Sequence, residues 1–419
     1  MPERLESSEA SANVAAESPS IETSDSDTLA GVQSCSLRHN ILRAVDDSLL
    51  SEWQSFHQRS SPDDPMQDIE WLRGYFDGQT DNVQLYSFVR GGRLAGISPF
   101  LRKDWPMTWH LGAWKIAQFP LKRLKLLGNK LDLPEDEAAY DLIFSELAKP
   151  DAGFDALYLE EIPLDSFLWK YLHRSKLIRR SFLPYEPAPP SLRRLVRLDG
   201  SFEQYMGKFS SKHRKNLLRE VKRLRQGALA EARLVRYDSP EEVPGFLDQA
   251  FEVSRKTYQW TLYRRGLSAT DLVRKRALFA AKHQWLRSYL LFCGGRACAF
   301  AIAYQYGGRF LLEELGFDRS LAKYSVGTVF QLMTVEDLFS HNRPHVLDFH
   351  SYGKYKEVLS TESYLQGQVF LFRPGMYSRL LRSGHCSCEF SNRTVSTLLN
   401  RMNLKTRLRQ KLRGSSDPH

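Results

Sequence analysis

Tyr86-Ser87-Phe88-Val89-Arg90-Gly91-Gly92-Arg93-Leu94-Ala95-Gly96 and Tyr289-Leu290-Leu291-Phe292-Cys293-Gly294-Gly295-Arg296-Ala297-Cys298-Ala299 are two versions of one pattern, 203 residues apart. Each is a pair of β-rich runs joined by Gly-Gly, and Gly-Gly supplies the positive φ that a two-residue hairpin turn requires. The segments downstream of the two hairpins agree in kind. After the first come a Trp-rich strand region near Met107–Trp114, a helix over Glu137–Leu147 and a strand over Phe154–Glu161. After the second come a strand over Arg309–Phe317, a helix over Thr328–Ser340 and a strand over His345–Phe349. A repeated hairpin–strand–helix–strand unit predicts an internal duplication. Mixed strands with one helix after the third strand predict an α/β architecture of the α+β sandwich type. The halves stand in tandem, each a mixed sheet with flanking helices, and neither is a doubly wound sheet.

The chain has 419 residues, long for one domain and comfortable for two of roughly 180 residues. It has no uncharged apolar run near the roughly 20 residues that cross a bilayer, and no basic start followed by an apolar block. Five scattered cysteines make no disulfide framework and suit a reducing compartment, so a cytoplasmic setting is expected. The net charge of +10 is unevenly spread. Residues 1–30 carry seven acids and one base, whereas the remainder carries 58 bases against 42 acids. A basic body predicts an anionic partner: a phosphorylated substrate, a nucleotide, nucleic acid or a membrane surface, such as a peripheral place on the inner membrane.

Residues 1–36, rich in Ser and acids and poor in aromatics, read as a disordered tail. The first half spans 37–190, with helices over Ser48–Arg59 and Ile69–Phe76 before its hairpin. Pro184–Pro190 marks the passage to the second half, 191–375. That half opens on one long helix, 201–226, closed by Gly227. Residues 376–419 form a basic tail with a helix near 395–412. In His385-Cys386-Ser387-Cys388 two thiols are separated by one residue, with no second cysteine pair. That falls short of a four-ligand zinc site, and no metal is expected. Cys293 and Cys298 read as small buried hydrophobes.

Two segments carry candidate chemistry. Asp318-Arg319-Ser320-Leu321-Ala322-Lys323-Tyr324-Ser325-Val326-Gly327-Thr328 is a small-residue loop opening a helix. Free N–H groups and the positive end of a helix dipole converge there, a ready site for a pyrophosphate, although an ordinary N-cap has the same look. The second segment is the basic helix. Lys212, Lys215, Arg219, Lys222 and Arg223 recur at three- and four-residue spacing and share a face. Leu217, Leu218, Val221 and Leu224 occupy another, expected to pack inward. Like charges at this spacing repel, which is easier to accept if the face meets a phosphate-bearing ligand than if it is merely solvated. Nucleic acid is disfavoured, because no aromatics are interleaved for base stacking.

The loop resembles the pyrophosphate loop of the GNAT superfamily, with Ala322, Ser325 and Gly327 at the aligned positions; a glycine has become serine and the basic residue is missing. Ser210-Ser211-Lys212-His213-Arg214, followed by Leu347-Asp348-Phe349, Gly353 and Tyr355-Lys356, is similar to the GNAT-like family of bacterial cellulose and exopolysaccharide synthesis (CelD/BcsL-like). The layout is also distantly similar to the Fem-type transferases that build peptidoglycan bridges. The resemblance covers about residues 40–373.

It implies direct attack of an amine on an acyl-CoA thioester, with acetyl-CoA or a longer acyl-CoA as co-substrate. Tyr324, Ser325, Val326, Gly327 and Thr328 would bind the pyrophosphate. Glu313 and Glu314 lie on the strand before the loop, where alternation puts one on each face; Glu314 is the candidate base. Tyr324 would protonate the leaving thiolate. Asp348 and His350 share a face at two-residue spacing; His350 suits proton transfer near neutrality, and a structural histidine is the other reading. Lys212, Arg214, Arg219, Asp348, Tyr355 and Lys356 would hold an anionic small-molecule or sugar acceptor, with the basic helix separate from the pyrophosphate loop. The partners implied are an envelope precursor, and polysaccharide-synthesis machinery or a membrane surface. Two rival expectations remain. One is a Fem-type transferase using aminoacyl-tRNA, against which the missing coiled-coil arm counts. The other is a non-catalytic scaffold of a polysaccharide-synthesis complex. The altered glycine loop suits either.

Overall fold

The computed structural model describes residues 34–401, except 78, 113, 227–230, 258–259, 261–265, 269 and 350–353. Short 3-10 turns aside, the first half runs β1 (Cys35–Ile41), α1 (Asp47–Ser60), α2 (Ile69–Tyr75), β2 (Val83–Arg90), β3 (Arg93–Asp104), β4 (Met107–Leu111), β5 (Trp114–Phe119), β6 (Lys122–Leu126), α3 (Glu137–Ala148), β7 (Ala156–Pro163), α4 (Phe167–Arg174), α5 (Lys176–Ser181) and β8 (Leu183–Tyr185). The second runs β9 (Ser191–Arg197), α6 (Phe202–Gly207), α7 (Ser211–Gln226), β10 (Arg233–Tyr237), α8 (Val243–Arg255), α9 (Asp271–Lys282), β11 (Ser288–Cys293), β12 (Arg296–Tyr306), β13 (Arg309–Phe317), α10 (Val326–Ser340), β14 (Val346–Asp348), α11 (Lys354–Leu359), β15 (Glu362–Phe372) and α12 (Met376–Arg401).

One mixed sheet passes through both halves in the order β1-β2-β3-β6-β7-β15-β9-β14-β13-β12-β11-β10, with β8 also on β15; β4 and β5 form a separate hairpin. The duplication extends to a defect. The register of β2 against β3 slips between Phe88 and Val89, and that of β11 against β12 slips between Leu291 and Phe292. These positions are equivalent under the 203-residue offset. Both turns use glycines at positive φ, 56° and 74° at Gly91 and Gly92, 58° and 77° at Gly294 and Gly295. Further on, β6 lies parallel to β7 and β13 parallel to β14, each pair bridged by one helix.

Helices cover both faces, which is why β2 and β11 are buried almost throughout. In the second half α8 and α9 pack on Leu290, Phe300 and Ile302. The opposite face carries α6, α7 and α10 over Tyr289, Leu291, Ala299 and Phe310. β15 splices the halves: Glu362–Gln366 pair with β9, and Gln366–Phe372 pair with β7.

The structure amends three readings of the sequence. The single helix expected over 201–226 is two. Ser201 and Gln204 cap α6 reciprocally, and Ser210 Oγ accepts from His213 N at 3.3 Å at the start of α7, so local caps broke a continuous pattern. Order begins by Ser34, with Cys35 and Ser36 already paired to β2; the rest of the expected tail, 1–33, lies outside the described residues. The C-terminal helix starts at Met376, and its partner is the β4–β5 hairpin: Asn392 Nδ2 donates to His110 O at 2.9 Å and its Oδ1 accepts from Gly112 N at 2.7 Å. The segment 402–412 lies outside the described residues. No described helix is long and apolar enough to cross a membrane.

Candidate active site

β14 accompanies β13 only over Arg309–Leu311, with the same three residues of β14 pairing to β9 on its other side, so the remainder of β13 runs on past the end of its neighbour. At the point where the sheet opens, β13 is bulged: Ile302 pairs with Glu314 and Ala303 with Leu312, which leaves Glu313 as the extra residue. The bulge overturns strict alternation of the two glutamates. Cross-strand neighbours share a face, so Glu314 stands on the side of Ile302, toward α8 and α9. Glu313 meets the same side, where its Oε1 accepts from the Tyr75 hydroxyl of α2 at 3.2 Å. Tyr75 is in turn held by Arg276 of α9, whose Nε donates to Tyr75 O at 2.6 Å and whose guanidinium lies 4.0 Å from the ring centroid. The first half thus reaches the opening. Burial and the Glu313 charge raise the Tyr75 hydroxyl well above its usual range, Glu313 being the larger cause.

From the end of β13 the chain makes a 3-10 turn, Arg319–Tyr324, opened by Asp318 Oδ1 on Ser320 N at 2.9 Å. It then enters α10 through Ser325, left-handed at φ 56° and ψ 30°. The Ser325 side chain makes no cap hydrogen bond to this helix. The first N–H groups of a helix lack an i−4 partner; here Thr328 N and Val329 N both donate to Ser325 O at 3.0 Å, and those of Val326 and Gly327 precede them. The equivalent helix of the first half differs. Asp136 caps α3 by accepting from Ala139 N at 2.8 Å, and its other oxygen holds Arg90 at 2.6 Å. Gly327 is needed for space: a Cβ there would stand 2.9 Å from the Phe317 ring.

The basic helix is not separate from this loop, as expected from the sequence, but lies against it. Arg223 Nη2 donates to Lys323 O at 2.7 Å, and its guanidinium lies 5.6 Å from the Tyr324 ring centroid. Leu217 and Leu224, one heptad apart, are buried on the α10 side. Leu218, a further 100° round the helix, is 51% exposed, so it does not pack inward. Lys212, Lys215, Arg219, Lys222 and Arg225 are exposed and Arg214 is half-buried.

The Asp-Phe…Tyr-Lys elements sit deeper. Asp348 is fully buried and gripped by Arg193 of β9, with Nε at 3.0 Å from Oδ1 and Nη2 at 2.8 Å from Oδ2; Arg309 Nη1 lies at 3.4 Å. Arg193 also binds Glu161 of β7, so this cluster spans both halves. Lys356 is buried, donates to Phe349 O at 2.8 Å, and is pushed down to about 8 chiefly by desolvation. His350 and the side chain of Tyr355 lie outside the described residues. Sequence reasoning missed Arg193 and Tyr75. Each comes from an element distant in the chain, and no local pattern marks either.

Residues 211–356 match the family model described as an acetyltransferase (GNAT) domain. That window opens at the first residue of α7 and closes at Lys356. It brackets the basic helix, the bulged strand and the helix entered through Ser325, and it places the chain among acyltransferase enzymes. No curated protein matches the chain. Among solved structures, FemX is 10% identical, with 79% of this chain and 98% of that one covered at a TM-score of 0.54, which shows the shared fold. A tandem GNAT protein from the clavulanic acid biosynthesis pathway is 13% identical, with 82% and 99% covered at 0.48. L-PGS from Bacillus licheniformis is 12% identical, with 82% and 96% covered at 0.46.

Proposed function

We propose that the chain transfers an acyl group from acetyl-CoA or a longer acyl-CoA to an amine of an anionic sugar, polysaccharide or cell-envelope precursor. One observation carries this reading: a helix N-terminus without a side-chain cap from its N-cap residue, that of α10, stands where β13 runs on past the end of β14. N–H groups of Val326 and Gly327 would receive the pyrophosphate, with Tyr324, Ser325 and Thr328 beside them; the Thr328 N–H itself donates to Ser325 O at 3.0 Å. The amine attacks the thioester carbonyl carbon, a C–N bond forms and the C–S bond breaks. Glu314 or its neighbour Glu313 takes the amine proton, and Tyr324 returns one to the thiolate. Lys212, Arg214 and Arg219 hold the anionic portion of the acceptor on the face of α7. The polysaccharide or envelope character of the acceptor rests on the resemblance of the Ser-x-Lys-x-Arg and Asp-Phe…Tyr-Lys elements. The same resemblance is the ground for a polysaccharide-synthesis complex or membrane surface as partner.

The test is calorimetric titration with acetyl-CoA and a long-chain acyl-CoA, on the wild type and on Gly327→Glu. The substituted side chain brings a carboxylate to the pyrophosphate position and drives into Phe317. The expected result is binding by the wild type and at least a hundredfold loss in a folded Gly327→Glu. If neither thioester binds the wild type, the reading fails in favour of an aminoacyl-tRNA donor or a scaffold.

A further inference from the structure

Cys293 ends β11, and Cys298 lies across the Gly294-Gly295 turn on β12. In a regular hairpin, alternation would put these two side chains on positions set by the register alone. Here the register slips: Leu291 pairs with Ala299 and Phe292 with Ala297, so Cys298 is the extra residue of a bulge. The bulge turns its side chain to the face that already carries Leu291, Ala299 and Cys293. The two sulfurs lie 2.8 Å apart, and Cys298 Sγ also donates to Leu291 O at 3.2 Å. A disulfide bond is about 2.05 Å long, so closure needs the sulfurs to approach by under an ångström.

The fold does not require sulfur at these places. The first half makes the same bulge at the equivalent position, and there the two sites are Arg90 and Ala95. The pair also has a mechanical connection. Cys298 O accepts from Asp318 N at 2.8 Å, and Asp318 is the residue that opens the turn leading to α10. Both thiols are buried, yet they flank a two-glycine turn with nothing packed over it, where opening the last rung of the hairpin exposes them.

The geometry points to a reversible redox modification site: Cys293 and Cys298 close to an intrachain disulfide under a hydroperoxide or disulfide oxidant and reopen with thiol reductants. With a hydroperoxide such as hydrogen peroxide, the Cys293 thiolate attacks one peroxide oxygen. The O–O bond breaks, the sulfur becomes a sulfenic acid, and the expelled hydroxide takes a proton to leave as water. Cys298 then attacks that sulfur, the S–O bond breaks, and a second water leaves. Two thiols lose two electrons and two protons, and one peroxide is reduced to two waters. The hydrogen bond between the two sulfurs lowers the proton affinity of Cys293, which assigns Cys293 as the first nucleophile.

The full-length protein is equilibrated in reduced-to-oxidised glutathione buffers of graded ratio, alkylated, digested with trypsin and analysed by mass spectrometry. Trypsin cuts after Arg287, Arg296 and Arg309, so the bond would join peptide 288–296 to peptide 297–309. The expected result is this linked species as the majority form in the oxidised buffers, abolished by dithiothreitol and by Cys298→Ser. A parallel exposure to hydrogen peroxide should give the same linkage. If both peptides stay fully alkylated in the most oxidising buffer, or if Cys293 is recovered joined to Cys35, Cys386 or Cys388 instead, the assignment is overturned. Because this readout involves no acyl donor, it is independent of the proposed transfer activity.

Discussion

Replacing Arg193 by leucine should destabilise the whole protein without touching the loop that opens α10. Arg193 is 5% exposed and Asp348 is fully buried, so the carboxylate has no water to fall back on. In the wild type a two-pronged guanidinium holds it at 2.8–3.2 Å. Without Arg193 the carboxylate keeps the more distant Arg309, at 3.4 Å. Removing one member of a buried ion pair costs about 3–5 kcal/mol, and Glu161 loses its ion pair with Arg193 in the same step. Exchanging both members for apolar residues removes the desolvation penalty along with the attraction. Arg193→Met combined with Asp348→Leu should therefore fall within about 1–2 kcal/mol of the wild type. Urea unfolding, with midpoints and slopes compared across the two single variants and the double, measures this directly. A loss under about 1 kcal/mol in Arg193→Leu would refute the reasoning. So would a double variant less stable than either single.

The charge on Lys356 gives a second test. Its folded-state value lies near 8 against an ordinary 10.5, so the folded state binds fewer protons than the unfolded between those limits and stability rises with pH across that window. At about 1.4 kcal/mol per unit the full effect is about 3 kcal/mol. Lys356→Met should lack that slope, so its advantage over the wild type should shrink between pH 8 and pH 10 in parallel unfolding curves; parallel slopes would contradict the assignment. On α7, Arg214→Ala and Arg219→Ala should each lower kcat/KM for an amino-sugar phosphate acceptor roughly tenfold to a hundredfold, with Arg225→Ala near wild type. Equal loss of liposome binding in all three, with turnover intact, would mark the helix as a membrane stripe instead.

The hairpins were legible in the sequence because two independent signals coincide at them, the β-rich runs and the paired glycines. The helix opening at Ser325 was legible for a similar reason, as a small-residue loop after a strand. Each misreading has its own physical cause. Glu313 and Glu314 were assigned opposite faces by alternation, and a bulge, which inserts one residue without a local signature, put both on the α8–α9 side. Leu218 was grouped with Leu217, Val221 and Leu224 on one inward face, although its rotation from Leu217 carries it outward. Arg193 and Tyr75 were invisible because their partners lie 155 and 238 residues away. Burial of an arginine in β9 makes sense only once Asp348 is known to stand opposite.

The same fold, used twice, has met opposite electrostatic fates at one point. Each half leads a parallel strand pair through one helix, and each such helix begins with unsatisfied N–H groups. In the first half Asp136 supplies the missing acceptor from within, and Arg90 neutralises the carboxylate. An incoming phosphate there would have to displace a bonded anion of its own charge sign. In the second half a left-handed Ser325 keeps its own side chain off those groups, while Arg223 and Lys323 crowd the adjoining turn with positive charge. The side chain and backbone conformation of a single N-cap residue thus set the two helix starts apart: one is satisfied from within, and the other is left without a side-chain cap from its N-cap residue. The first half contributes in another way: β7 pairs along β15, Glu161 binds Arg193, and Tyr75 bonds to Glu313 at the opening. Deleting the first half would strip β15 of one neighbour and leave Arg193 with one carboxylate fewer. The second half should therefore not survive excision as a stable acyltransferase, even though the matched domain lies wholly within it.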